Sequence, residues 1–142
     1  MPAVAFHFNV ADRPAYACRL LRKAYRQGAK VAVTGPERQL HELDRLLWTF
    51  EPLEFVPHWR APSLAQLPER LAASPVLLLN EASAQAGHSV LVNLGEDVPP
   101  GIDAFARVIE IVGRDEAERA PARERWRHYA ASGCTIERHE AS

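Results

Sequence analysis

The sequence predicts an α/β fold, a three-layer sandwich in which helices flank a mostly parallel sheet. Short apolar runs of strand length alternate along the chain with amphipathic segments of helical period. Two of these runs, Val76–Leu79 and Ser89–Val92, are nearly continuous in apolar residues, which is typical of strands buried on both faces of a parallel sheet. With 142 residues, 47% of them hydrophobic, the chain can bury a core, so we expect a single domain over residues 1–142.

The first half of the chain predicts a β-α-β-α unit, which implies parallel strands. Asp12 can cap the first helix, Pro14 fits its first turn and Gly28 can end it. Gly35 and Pro36 form a turn, after which leucines at helical spacing mark the apolar face of a second helix. The predicted elements are a strand over Val4–Val10, a helix from Asp12 to Gly28, a strand over Lys30–Thr34 and a helix ending at Trp48.

The second half of the chain predicts further strands and a last helix. Leu53–Pro57 has the pattern of a third strand. The proline-rich stretch Pro57–Pro75 cannot be a central strand because proline has no amide hydrogen to donate, so we expect it to wrap the surface around a short helical turn. The remaining elements are strands over Val76–Leu79, Ser89–Val92 and Arg107–Val112, a helix over Glu116–Ser132 and an edge strand over Cys134–Arg138.

Charge and cysteine content restrict the classes of function. A net charge of −1 provides no broad basic field, so we expect no strong direct binding to DNA, and any basic site must be local. No run is long enough to span a membrane, and we expect no membrane partner. Cys18 and Cys134 lie far apart and the N-terminus lacks the charged and apolar regions of a signal peptide, which favours the reducing cytoplasm.

Residues typical of nucleotide-binding and catalytic sites do not occur in the required patterns. Asn9–Arg13 contains no glycine and Thr34–Glu37 contains one, without a following Gly-Lys-Ser or Gly-Lys-Thr, so the fold is Rossmann-like without a phosphate-binding loop. Cys134 and His139 would point to opposite sides of an edge strand, so we predict no metal site and no cofactor. Ser89 lies in an apolar strand with no nucleophile motif around it, and we predict no catalytic residue.

The last helix combines arginines with aromatic residues. Arg119, Arg123 and Arg127 are spaced four apart and form one stripe, with Trp126 and Tyr129 beside its lower half. Guanidinium groups bind carboxylates with paired hydrogen bonds and an aromatic floor accepts an apolar side chain, so this arrangement predicts a site for an acidic, aromatic peptide. A solvated arginine face beside a Trp/Tyr pair in the core is the alternative.

Pro121 lies inside this predicted helix. Its ring removes one backbone hydrogen bond, which predicts either a kink in the helix axis or a later start of the helix. Either change could move Arg119 out of the arginine stripe, and the sequence leaves this open.

Several short motifs resemble one family. Leu43–Trp48, followed by Phe55–His58, looks like the corresponding segment of the chi subunit of bacterial DNA polymerase III holoenzyme, a clamp-loader accessory subunit. The later matches follow the order of that family: Val90–Leu94, Val98-Pro99, Phe105, Arg107–Val112, Arg123–Trp126 and Tyr129. The resemblance spans nearly the whole chain, and these motifs would rarely occur together by chance in one small α/β chain.

The resemblance implies a non-catalytic adaptor in DNA replication, working in the cytoplasm at the replisome without a cofactor. Proteins similar to chi join the clamp loader, through its psi subunit, to single-stranded DNA-binding protein, whose acidic C-terminal tail ends in a phenylalanine. By position, the tail-binding residues implied are Val112, Trp126 and Tyr129 around the phenylalanine ring, Arg123 and Arg127 on the carboxylate and upstream aspartates, and Arg119 on the rim.

The resemblance also implies a surface for psi at Trp48, Phe55 and Pro57. Exposed rings at these positions would form a hydrophobic hot spot, whereas burial of both under the proline-rich loop is the alternative. In an organism without psi, another partner such as a DNA-repair helicase could use this surface. His58, which follows the predicted third strand, is interpreted as a hydrogen-bonded structural group.

Two other classes of function stay open. The same α/β scaffold could carry a small-molecule or nucleotide-binding enzyme, because a fold does not decide a function. The arginine stripe could instead bind single-stranded nucleic acid directly, and the affinity of the isolated protein would then fall steeply with salt.

Overall fold

Seven strands form one sheet in the computed structural model, which describes residues 1–49, 55–81 and 88–141. The strands are β1 Ala3–Val10, β2 Val31–Thr34, β3 His58–Ser63, β4 Val76–Glu81, β5 Val90–Asn93, β6 Arg107–Gly113 and β7 Thr135–Glu140. Their order across the sheet is β3-β4-β2-β5-β6-β1-β7, and every neighbouring pair is parallel. Strands β3 and β7 are therefore the two edges, as expected for the last strand.

Three α-helices lie on the two faces of this sheet within the described residues. They are α1 Arg13–Arg26, α2 Glu37–Thr49 and α3 Glu116–Ala131. Helices α1 and α2 pack against each other and against one face, where an aliphatic cluster contains Leu21, Leu40 and Leu43. Helix α3 packs on the opposite face, where Phe6 and Tyr129 belong to a second cluster. The predicted three-layer α/β sandwich is confirmed.

The first helix follows the predicted start and stop signals. The Asp12 carboxylate accepts a hydrogen bond of 3.1 Å from the Ala15 amide, which satisfies one of the free amides of the first turn. After the helix, Gly28 adopts a left-handed conformation with φ +79°, which residues with a side chain rarely adopt. The sequence was therefore sufficient to place α1 within one or two residues at each end.

The third strand lies later in the chain than predicted. Phe55–Pro57 are not in a strand, and the other residues of the predicted strand, 53 and 54, lie outside the described part of the chain. Strand β3 instead begins at His58 and ends at Ser63, within the first part of the proline-rich stretch. The sheet accepts it because β3 is an edge strand that pairs only with β4, and Pro62 has no partner in the pairing register. Two 3₁₀ turns, Leu64–Gln66 and Glu69–Leu71, follow on the surface.

Pro121 does not mark the start of the last helix. Helix α3 begins at Glu116 and continues through Pro121 to Ala131. Arg119 therefore stays on the helix and lines the same pocket as Arg123. A displacement of Arg119 by a later helix start is therefore wrong. Helix α3 accommodates Pro121 in its second turn and loses only the one backbone hydrogen bond that the proline nitrogen cannot donate.

Candidate functional site

A pocket of about 480 Å³ lies between α3 and the carboxyl ends of β1, β6 and β7. We call it the α3 pocket. Its lining residues are Phe8, Asn9, Gly113, Arg114, Arg119, Ala122, Arg123, Trp126, Arg127, Arg138 and Glu140. Five of these residues are arginines and one is acidic, so the pocket is strongly cationic although the whole chain carries a charge of −1.

Aromatic rings form the floor of the α3 pocket. Trp126 is half-buried, and its ring centroid lies 5.0 Å from that of Phe6 and 6.1 Å from that of Phe8. Phe6 and Phe8 are themselves stacked, with centroids 5.6 Å apart. The guanidinium of Arg138 lies 4.9 Å above the Phe8 ring in a cation–π contact. The floor can therefore accept an apolar or aromatic side chain from a ligand.

Two arginines of the rim are paired with exposed carboxylates of the same helix. Arg123 donates to Glu116, and Arg127 donates to Glu124. The hydrogen bond from Arg123 lowers the pKa of Glu116, so this carboxylate stays ionised. Because both pairs are exposed to solvent, each contributes little to stability. A carboxylate on a ligand could replace either partner at small cost.

Two predicted site residues lie beneath the pocket floor. Val112 and Tyr129 are fully buried in the core cluster under α3. Tyr129 packs edge-on against Phe6, with ring centroids 5.9 Å apart. Neither residue is among those that line the pocket surface, so a ligand in the pocket as it stands would meet Trp126 first.

A buried polar network below the pocket was not predicted from the sequence. Glu110 on β6 accepts hydrogen bonds from Arg125 Nε at 3.0 Å, from Asn93 Nδ2 at 3.0 Å and from the Tyr129 hydroxyl at 2.6 Å. Burial raises the pKa of Glu110, while these three donors oppose the rise and favour the carboxylate. Arg125 also donates to the Glu96 carbonyl at 2.8 Å. The available signal was one acidic residue inside the otherwise apolar run Val108–Val112 of β6.

The network fixes α3 on the sheet. Glu110 and Arg125 are 0% and 5% exposed, and one comes from a strand while the other comes from the helix. Removing either partner would leave an unpaired charge in the core. Burial and the neighbouring Glu110 raise the pKa of Tyr129, so its hydroxyl remains a donor. The floor of the α3 pocket is thus held by an ion pair and a phenol beneath it.

A second aromatic surface lies where α2 ends and β3 begins. We call it the aromatic patch, formed by Trp48, Phe55, Pro57 and His58. Trp48 and Phe55 are 57% and 46% exposed, and their ring centroids lie 4.9 Å apart. Burial of both rings under the proline-rich loop is therefore wrong. The structure brings together these residues, which the sequence places in two segments.

His58 supports the aromatic patch from below. Its ring is 5.1 Å from the Trp48 ring and 5.7 Å from the Phe55 ring, centroid to centroid, and the residue is buried. Nδ1 donates to the Val56 carbonyl at 2.7 Å, and Nε2 lies 3.0 Å from Asp44 Oδ1. The interpretation of His58 as a hydrogen-bonded structural group is confirmed.

Arg13 lies at the carboxyl ends of the strands, the place where α/β proteins commonly bind nucleotides. Its guanidinium donates to the carbonyls of Ile111 and Leu94, both at 3.0 Å, and Nε lies 3.1 Å from Glu118 Oε1. Gly35, in the turn after β2, approaches Leu94 so closely that an added Cβ would lie 3.0 Å from the Leu94 Cβ. The Arg13 side chain therefore satisfies the carbonyls that are free at these strand ends.

The described part of the chain has no cluster of metal ligands and no helix that could span a membrane. Within residues 1–49, 55–81 and 88–141, no group of three or more His, Cys, Asp and Glu could hold a metal ion. Cys18 and Cys134 are free thiols, and burial raises the pKa of Cys18 to about 11. None of the helices described is long and apolar enough to cross a membrane.

Comparison with known proteins identifies the family. The chain is 36% identical over 124 residues to the DNA polymerase III subunit chi of Pseudomonas aeruginosa, covering 87% of this chain and 82% of that protein. It is 32% identical over 121 residues to the subunit chi of Haemophilus influenzae, covering 84% and 81%. The family model "DNA polymerase III chi subunit, HolC" matches residues 1–137. The chain therefore belongs to the DNA polymerase III chi subunit family, the accessory subunits of a replicative polymerase.

Proposed function

We propose that this protein is a non-catalytic, cytoplasmic adaptor that links the clamp loader, through psi, to the acidic C-terminal tail of single-stranded DNA-binding protein. One observation carries the tail-binding part. The α3 pocket combines a floor of aromatic rings with a rim of five arginines. This chemistry matches a peptide with an aromatic last residue, a terminal carboxylate and aspartates before it.

The tail would enter with its phenylalanine ring on the floor. Trp126 and Phe8 offer the ring surface, and Arg123 and Arg127 stand beside it to receive the terminal carboxylate and the aspartates. Arg119 lines the same pocket toward the start of α3 and extends the cationic rim. Val112 and Tyr129, buried directly in the cluster below, would hold the floor in place and would touch the ring only if it penetrated deeper.

Tail binding would proceed by exchange of ion pairs. Arg123 and Arg127 already hold carboxylates of α3, so the peptide would replace Glu116 and Glu124 instead of ordering two unpaired arginines. The arginine side chains are therefore partly preorganised, which reduces the entropy lost on binding. Because these contacts are exposed, their contribution should decrease as the salt concentration increases.

The aromatic patch is the proposed surface for psi. Two exposed rings in contact, supported by a buried histidine, form an apolar spot of the kind that dominates protein interfaces. Pro57 borders the rings and is half-buried. Psi is the proposed partner because of the family, and a DNA-repair helicase is the alternative partner for the same rings.

Fluorescence anisotropy with a labelled tail peptide tests the tail-binding proposal. We expect saturable binding that weakens about tenfold or more in Arg123→Gln, because one charge-assisted hydrogen bond is lost. Arg70→Gln is the matched control, since Arg70 is an exposed arginine on the 3₁₀ turn Glu69–Leu71 between β3 and β4. This variant should bind the peptide like the wild type. A peptide without its last phenylalanine should also fail to bind. Equal affinity of all variants for both peptides would contradict the proposal.

Size-exclusion chromatography with purified psi from the same organism tests the aromatic patch. Trp48→Ala should abolish co-elution, because the ring is the most exposed part of the patch. Trp59→Ala is the matched control, since Trp59 is 44% exposed but belongs to no ring contact of the patch. Loss of co-elution in the control as well would reject the patch as the binding surface.

A further inference from the structure

Positive charge is concentrated in one segment of this acidic chain. Residues 13–36 contain four arginines and two lysines and no acidic residue. The chain as a whole carries −1, so the remainder carries −7. Helix α1 accounts for most of this segment, and a basic helix on an acidic protein creates a local positive potential that the net charge conceals.

Three cations of α1 lie on one exposed face. Arg19, Lys23 and Arg26 are all exposed and are spaced four and three residues apart, which places them in a row. Tyr16 continues the same row one turn earlier, and the Arg19 guanidinium lies 5.8 Å from the centroid of its ring. From Arg19 to Arg26 the row is about 10 Å long, at 1.5 Å per helical residue.

A groove of about 380 Å³ runs beside this row, and we call it the amino-edge groove. It lies between α1 and the strand starts at Val31, Val90 and Arg107. Arg107 supplies a cation from the sheet, opposite Arg19 and Lys23 on the helix. None of the residues that line the groove is acidic, and several are apolar. The site therefore has charged walls and an apolar floor.

Two rings at one end of the groove are uncharged. His7 Nδ1 is hydrogen-bonded to the Tyr16 hydroxyl, and the two ring centroids are 5.5 Å apart. Burial, His139 and Arg107 lower the pKa of His7 to about 4, so the ring is neutral at pH 7. The nearest titratable groups on the neighbouring edge strand are His139, stacked on His7 at 4.8 Å, and Glu137, 3.4 Å from His139. The two rings thus add uncharged aromatic surface to this end of the groove.

We propose that the amino-edge groove binds the sugar-phosphate backbone of single-stranded DNA. A row of cations without acidic interruption matches the repeated charge of a polyphosphate, and rings with an apolar floor accept bases without reading their sequence. Membership of a DNA polymerase subunit family places DNA near this chain. An acidic peptide would use the cations but would leave the neutral rings and the apolar floor without a function.

The groove and the α3 pocket can be occupied together. Helix α1 and helix α3 cover opposite faces of the sheet, and no residue lines both cavities. Binding by four cations alone is weak, but an adaptor held close to DNA by another contact gains from a high effective concentration. The groove would then hold the strand while the α3 pocket holds the tail.

Salt dependence is the quantity that measures this binding. Each phosphate neutralised on a single strand contributes about −0.7 to the slope of log K against log salt, so four cations predict a slope of about −3. Substitution of both Arg19 and Lys23 by Gln removes two contacts. The slope should then become shallower by about 1.4, and the affinity at low salt should fall about tenfold or more.

The experiment is an anisotropy titration of a labelled oligothymidine of about 20 nucleotides with the full chain, over a series of salt concentrations. An excess of tail peptide is present to occupy the α3 pocket. The variant is Arg19→Gln/Lys23→Gln, and the matched control is Arg38→Gln/Arg70→Gln, which removes the same charge at two exposed arginines outside the groove. Circular dichroism and thermal melting show that each variant is folded.

We expect the wild type and the control to bind the oligothymidine. The Arg19→Gln/Lys23→Gln variant should bind it more weakly and with less dependence on salt. Absence of binding by the wild type at low salt would overturn the proposal, as would an equal loss in the control. Competition by a polyglutamate peptide as strong as that by unlabelled oligonucleotide would also overturn it and assign the groove to an acidic protein. Tail-peptide affinity, measured separately, does not depend on any of these outcomes.

Discussion

The two faces of the sheet bury different kinds of side chain. The face under α1 and α2 is covered by two helices and holds an aliphatic cluster, in which Leu21 is fully buried. The face under α3 is covered by one helix and holds aromatic residues such as Phe6 and Tyr129, together with the ion pair of Glu110 and Arg125. One face of the sheet therefore carries a closed aliphatic layer. The other face carries a partly open aromatic layer that is supported by an ion pair.

This difference shows where binding surfaces can form on the fold. One helix covers less of the sheet than two, so the α3 face leaves Trp126 and Phe8 partly open beside the arginines. The α1–α2 face is closed over its centre, and its candidate surfaces lie at the margin, in the amino-edge groove and the aromatic patch. We expect variants of the residues buried beneath the α3 pocket to affect stability and tail binding together, and variants in the aliphatic core to affect stability alone.

The largest expected effect is on the charged support of the α3 face. Arg125→Ala should lower the free energy of unfolding by about 3–5 kcal/mol, because it leaves the buried Glu110 carboxylate without its cation. It should also weaken tail binding, since the floor of the pocket loses its support. Urea unfolding and peptide titration measure the two effects. Arg127→Ala, exposed on the same helix, is the control and should leave the unfolding energy within about 0.5 kcal/mol.

The aliphatic face should respond in stability only. Leu21→Ala creates a cavity in a fully buried position and should cost about 2–5 kcal/mol in urea unfolding. Its affinity for the tail peptide, measured below the unfolding transition, should equal that of the wild type. A matching loss of affinity would mean that the two faces are coupled through the sheet.

Trp126 and Trp48 differ in how much of each ring packs on the protein core. Trp126→Ala should cost about 2 kcal/mol of unfolding free energy, because the half-buried ring packs on Phe6. Trp48→Ala should cost less than about 1 kcal/mol, because the ring is 57% exposed and touches mainly Phe55 and His58. Equal costs measured by thermal or urea unfolding would show that the aromatic patch is a structural contact.

The smallest effect concerns His7, at the margin of the α1–α2 face. Its pKa is about 4 in the folded protein and near 6.5 when unfolded, so between these values the unfolded chain binds more protons. Stability should therefore be lost as the pH falls from about 6.5 to about 4, by about 1 kcal/mol after solvent screening of the half-exposed ring. His7→Gln should reduce this pH dependence in urea unfolding. An unchanged pH profile would contradict the assignment to His7.

Local patterns were sufficient to predict most of the fold. Asp12, Pro14 and Gly28 define α1 through contacts within a few residues, and the continuous apolar runs of β4 and β5 require burial on both sides. The start of β3 could not be predicted, because an edge position, which is a property of the whole sheet, is what allows a strand to contain Pro62. Its register depends on β4, which follows later in the chain.

The candidate site could be predicted only in part, because some of its contacts depend on the arrangement of the whole sheet. Helical spacing placed Arg119, Arg123 and Trp126 on one surface, and the structure brings them into one pocket. Spacing could not show that Tyr129 turns into the core, since this depends on its hydrogen bond to Glu110 on a strand. The contribution of β1 and β7 to the pocket was also invisible, because it follows from the order of strands in the sheet.

A double-mutant cycle on tail binding measures whether the arginines of the α3 pocket contact the terminal carboxylate of the peptide. The protein variant is Arg123→Gln/Arg127→Gln, the peptide variant carries an amide in place of the terminal carboxylate, and all four affinities are measured by the same titration. We expect a coupling energy of about 1.5 kcal/mol or more, because the guanidinium groups and the carboxylate interact directly. Losses that add within about 0.5 kcal/mol would show that these arginines do not contact the carboxylate and would contradict the assignment of the α3 pocket.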